Sequence, residues 1–120
     1  MIITIPFKTP SVNHLYAFYR GHKIISKEAR ELKKTIKMIV DSSEHGLLGF
    51  DKLRVEIRIY ENWMYKNGSV SKKDIDNRTK FLIDAVFEAL GIDDRYIFIQ
   101  LLVKEQSDTE EKAVIEITEL

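Results

Sequence analysis

The stretch from Leu53 to Tyr60 constrains this chain more than any other part of it. Leu53, Val55, Ile57 and Ile59 alternate strictly with Arg54, Glu56, Arg58 and Tyr60. A period of two puts every apolar side chain on one face of an extended backbone, so this is a strand from a sheet with one buried face. Such a sheet has to be covered. Ser26 reads as a helix N-cap, followed by an apolar stripe of Ala29, Leu32, Ile36, Ile39 and Val40, with Lys33, Lys34 and Lys37 largely off it and Gly46 as its expected end. A second helix is expected after Asp74 or Asp76 as its cap, with Leu82, Ala85, Val86, Ala89 and Leu90 as its stripe and Gly91 as its stop.

Other strands fill in the sheet. Ile3, Ile5 and Phe7 alternate with Thr4 and Pro6, which marks an edge strand because Pro6 has no N–H to give to a ladder. Leu15 to Ser26, broken at Arg20-Gly21-His22, reads as a hairpin. Ile97 to Val103 is a nearly continuous apolar run, Ser107 to Glu111 a polar turn, and Ala113 to Thr118 a last alternating strand. Residues 62–73 contain Asn67-Gly68-Ser69 and no apolar period, as an exposed loop does. The expected fold is α+β: one domain over residues 1–120, a mostly antiparallel or mixed sheet, and two helices.

Composition removes several classes of function. With 44% hydrophobic residues the chain can build a core, and with no cysteine it has no disulfide, thiolate nucleophile or Cys-ligated zinc. No segment approaches the ~20 apolar residues of a membrane helix, and Met1 to Lys8 lacks the pattern of a secretion signal. A cytoplasmic protein with no membrane partner is expected. The net charge is zero, 19 basic against 19 acidic, yet residues 1–80 hold 16 basic and 9 acidic side chains and residues 81–120 hold 3 and 10. The split reads either as two compensating solvated faces or as a basic surface for a polyanion beside a carboxylate cluster.

The acids have a suggestive spacing. Asp74 and Asp76 stand two apart in a segment expected to be extended, where alternate side chains point the same way. Two converging carboxylates repel unless a cation lies between them, and an all-oxygen site suits Mg²⁺, with Mn²⁺ as a substitute. Lys80 follows Asp76 by one helical turn, within reach of a phosphate oxygen or an attacking water. The plain alternative is that these aspartates cap a helix, that Asp76 and Lys80 form an ordinary ion pair, and that Asp93-Asp94 is a turn.

The string Asp74-Ile75-Asp76-Asn77, Lys80, Asp84-Ala85, Gly91 and Asp93-Asp94, with an upstream strand, Pro10-Ser11-Val12-Asn13 and a hairpin leading to Ser26, resembles the RusA-type crossover-junction endodeoxyribonucleases. The resemblance covers most of the chain. It implies that Asp74, Asp76 and Asp94 bind metal, that these three and Lys80 are catalytic, and that the product carries a 5′-phosphate. Asn13, Lys72, Lys73, Asn77 and Arg78 are candidate DNA contacts. Lys8, Arg20, Lys23, Lys33, Lys34 and Lys37 are further candidates for phosphate, and Trp63, in a polar loop, is the best placed aromatic for stacking on a base. The zero net charge and the longer loop over 62–71 depart from the family pattern.

The expected activity is therefore Mg²⁺-assisted phosphodiester hydrolysis that resolves Holliday junctions in recombination and repair. A helix from Asp76 to Leu90 spans about 21 Å, whereas Gly91 to Asp94 retrace at most ~14 Å. Asp94 is thus expected to complete the site of a twofold mate, in a homodimer that shares its active sites and binds a four-way junction. Three rivals remain: a DNA-binding module with no catalysis, indifferent to Asp76→Asn; a nuclease for another DNA geometry, such as a flap or single strand, with the same acids; and a helix-mediated interaction protein with no nucleic-acid role, which the basic first half disfavours.

Overall fold

The computed structural model describes residues 1–10, 16–43 and 51–120. Strand β1 (Ile2–Ile5) is followed by β2 (Tyr16–Tyr19), β3 (His22–Ile25), helix α1 (Lys27–Asp41), β4 (Leu53–Glu61), α2 (Asp76–Leu90), β5 (Ile97–Gln106) and β6 (Lys112–Glu119). Four strands form one mixed sheet in the order β1-β6-β4-β5, with β4 and β5 parallel and the other pairs antiparallel. The β2-β3 hairpin is a separate ribbon that turns at Arg20 and Gly21, both at positive φ. This is the α+β fold expected from the sequence.

One face of the sheet is the core. Ile3 and Ile5 of β1, Leu53, Val55, Ile57 and Ile59 of β4, and Ala113, Ile115 and Ile117 of β6 are all fully buried. Each large aliphatic side chain there contributes roughly 1.5–3 kcal/mol by leaving water. Ala29, Ile36 and Val40 of α1 and Phe81, Leu82, Ala85 and Val86 of α2 close over them. The other face of β4 is polar, and hydrogen bonds from Arg54 and Arg58 hold the Glu56 carboxyl below its usual range.

The helices start and stop for different reasons. Ser26 caps α1, its hydroxyl accepting from the Ala29 N–H at 3.2 Å. The end comes earlier than Gly46, which lies outside the described residues, because the hydroxyls of Ser42 and Ser43 both donate to the Ile39 carbonyl and satisfy it there. Gly91 ends α2 in the left-handed conformation at φ 70°.

Residues 62–71 are more ordered than an exposed loop. Met64 bridges Val70 around a turn in which the Asn67 side chain accepts from the Ser69 N–H. Trp63 is 3% exposed, and its indole N–H donates to the Ile59 carbonyl at 3.0 Å. It closes the end of the core and has no free face for a base, so the stacking role expected of it is withdrawn. The β4 alternation also runs one position further than the apolar pattern shows, placing Glu61 in the core at 1% exposure. Its carboxylate accepts from Arg78 Nε of α2 at 3.3 Å.

Candidate active site

Helix α2 lies over the middle of the sheet and leaves part of β5 uncovered. Gln100 and Leu102 share the core face with their β4 partners Val55 and Ile57, and Phe98, the residue skipped where the register shifts between Leu53 and Arg54, is 61% exposed. The uncovered strip is the floor of an open cavity of about 500 Å³. Its walls carry Asp76, Lys80 and Asp84 from one face of α2 and Asp94 from the turn before β5. Three of the four expected catalytic residues thus meet one cavity, together with Asp84, which the sequence reading did not select.

The Asp74-Asp76 segment differs from the expectation. Ile75 is already helical at φ −72° and ψ −36° and is the N-cap residue of α2. Side chains two apart diverge once the backbone between them turns helical. Asp76 accordingly lines the cavity, and Asp74, exposed just before the helix, is not among its walls. Neither aspartate caps the helix, since no side-chain cap hydrogen bond exists. The carboxylates of Asp74, Asp76 and Asp94 have no hydrogen-bond or ion-pair partner among the described residues. Asp93 does have one, accepting from the Arg95 N–H at 2.9 Å, so the first acid of the Asp-Asp pair shapes the turn and the second is free.

Lys80 bonds forward rather than back, its Nζ lying 3.7 Å from Asp84 instead of pairing with Asp76. Its exposed ammonium stands midway along the acidic wall. The approach to α2 is pinned by other lysines: Lys73 Nζ donates to the Asn62 carbonyl and Lys104 Nζ to the Lys73 carbonyl, both at 2.8 Å. Lys72 is exposed, with its backbone N–H directed at the Tyr65 hydroxyl. Arg78 is 8% exposed and engaged with Glu61, which removes it from the surface where a phosphate contact was expected. Asn77 stands in the first turn of α2 with its side chain outside the described part, and Asn13 lies outside the described residues.

Carboxylate oxygens without partners of their own are the right donors for a hard divalent cation. Their separation within one chain is the difficulty. Asp76 and Asp84 are two helical turns apart, about 12 Å along the axis, whereas oxygen ligands sit ~2.1 Å from Mg²⁺. Among the described residues no three acidic or histidine side chains come close enough to hold one ion. A single chain supplies the right chemistry in an open arrangement.

Residues 6–118 match the family model described as Endodeoxyribonuclease RusA. No curated protein matches the chain. Among the described residues no helix is long and apolar enough to cross a membrane. With a match that spans nearly the whole chain, the protein belongs to the RusA family of endodeoxyribonucleases, divalent-metal-dependent hydrolases that act on branched DNA junctions.

Proposed function

We propose that this chain is a cytoplasmic, Mg²⁺-dependent resolvase that cuts four-way junctions in symmetric pairs during recombination and repair. The observation that carries the reading is the cavity beside α2, where Asp76 and Asp94 present carboxylates without a partner among the described residues, next to Lys80 and Asp84. Asp74, Asp76 and Asp94 would hold the cation, which supplies Lewis acidity to the scissile phosphate and lowers the pKa of the attacking water. Lys80 places a positive charge where the phosphate oxygens gain negative charge in the transition state. Lys72, Lys73 and Asn77, at the entry to α2, are the proposed contacts to the neighbouring backbone, with Asn13 as a further one.

A homodimer completes the site in this reading, Asp94 of one subunit joining Asp74 and Asp76 of its mate. Two features support it: among the described residues no three acids lie close enough to hold one ion, and the outer edge of β5, where Phe98, Ile99 and Leu101 are exposed, pairs with no other described strand. An apolar strand with a free edge is a ready surface for a second copy.

A synthetic four-way junction and a matching linear duplex, each with Mg²⁺ or EDTA, test the activity. Paired symmetric nicks on the junction alone, abolished by EDTA, are the expected result; equal digestion of both substrates rules out junction selectivity. Sharing of the site is tested by mixing Asp74→Asn and Asp94→Asn proteins. A heterodimer keeps one intact site, so roughly a quarter of the activity returns, as single nicks. Heterodimers that form and stay inactive refute the shared site.

A further inference from the structure

The candidate site opens at one end into a trough that reaches the lysines of α1. An adjoining cavity of about 350 Å³ shares Asp84 and Asp94 with the site and continues past Phe87 and Glu88 to Lys33. Lys33 and Glu88 in turn line a cleft of about 300 Å³ between the helices, with Lys34, Lys37, Ala85 and Ala89. The sequence explains the cleft. Arg30, Lys33, Lys34 and Lys37 fall at i, i+3, i+4 and i+7, one face of α1, and the small Ala85 and Ala89 of α2 leave open space opposite them.

The two ends of the trough are charged in opposite senses. The inter-helix cleft is lined by three lysines against Glu88, and the site by Asp76, Asp84 and Asp94 against Lys80. A polyanion entering an acidic site needs attachment close by, and the lysine end is adjacent. Lys33 is held by Glu88 at 3.0 Å and Lys37 by Asp41 at 2.9 Å, in pairs open to solvent. Exposed pairs of this kind contribute little and yield readily to a stronger anion. Lys34 is exposed and makes no ion pair among the described residues. From Arg30 to Lys37 the helix axis advances about 10 Å, in which a DNA strand rising ~3.4 Å per nucleotide presents about three phosphates.

We infer that the lysine cleft between α1 and α2 is a second DNA site, which holds the phosphodiester backbone of an arm flanking the cleaved strand. The inference rests on the nuclease reading of the neighbouring cavity. Binding of a labelled four-way junction in EDTA, followed by anisotropy over a range of salt, reads it without cleavage. Lys34→Gln/Lys37→Gln should lower the slope of log K against log salt by about two, at ~0.9 per phosphate contact. Affinity at low salt should fall about tenfold or more. With Mg²⁺ the variant should show raised KM and unchanged kcat, and Lys112→Gln, over Tyr60 on the sheet face away from the helices, should match the unaltered protein throughout.

An unchanged slope and affinity in a folded double variant overturns the inference, as does a fall in kcat with KM unchanged. Unaltered protein that binds the junction but never cuts it in Mg²⁺ refutes the nuclease reading alone, and the salt slope still decides the cleft. If it binds no junction, both fall.

Discussion

Asp76→Asn should slow junction cleavage on the order of a thousandfold while leaving junction binding intact or slightly tighter. The substitution keeps the size of the side chain and removes its charge. Asp76 is exposed, caps nothing and has no partner among the described residues, so the fold loses at most the ~0.3–1 kcal/mol that a carboxylate gains at a helix N-terminus. Loss of a metal ligand instead removes several kcal/mol of transition-state stabilisation, and about 4 kcal/mol is three powers of ten in rate. Single-turnover cleavage with saturating enzyme reads the chemical step. Full cleavage activity in the variant would return Asp76 to an ordinary helix residue and remove it from the metal site.

Arg78→Ala should destabilise the fold by about 3–5 kcal/mol, because it strands the Glu61 carboxylate in the core. Glu61 is 1% exposed, Arg78 is its one ion-pair partner among the described residues, and its Oε2 already lacks a hydrogen bond. A loss of that size is a large share of the 5–15 kcal/mol that holds a domain together. Urea unfolding followed by circular dichroism measures it. The double variant Glu61→Leu/Arg78→Met should recover most of the stability, since well-packed apolar residues replace a buried ion pair with little penalty. A loss below about 1 kcal/mol for Arg78→Ala would mean that water reaches the pair.

The same pair marks a boundary of what the sequence discloses. Alternation through Ile59 identifies β4, Ser26 and Gly91 punctuate the helices, and the Arg20-Gly21 break identifies the hairpin, because each is a local signal with a local cause. Glu61 continues the buried alternation of β4, but its polarity hides it until Arg78 is seen facing it across the core. Trp63 misleads in the opposite way: its neighbours are polar, while its burial comes from the end of the sheet. Of the residues that line the cavity, Asp76 and Lys80 were marked by their spacing and by the family string, and Asp94 by the string. The divergence of Asp74 was not, since it depends on one helical residue, Ile75, in a segment whose composition reads as extended. Asp84 was in view as part of the string; its place in the cavity follows from α2 leaving β5 half covered.

The parallel pairing of β4 with β5 has a further consequence. Two strands running the same way need a return path, so what enters α2 and what leaves it stand at opposite rims of the sheet. Asp76 and Asp94 reach the same cavity from opposite ends of α2, a placement set by this wiring and not by the choice of side chains around them. Point substitution can retune either acid, but the path of the chain fixes the end of the helix from which each one enters.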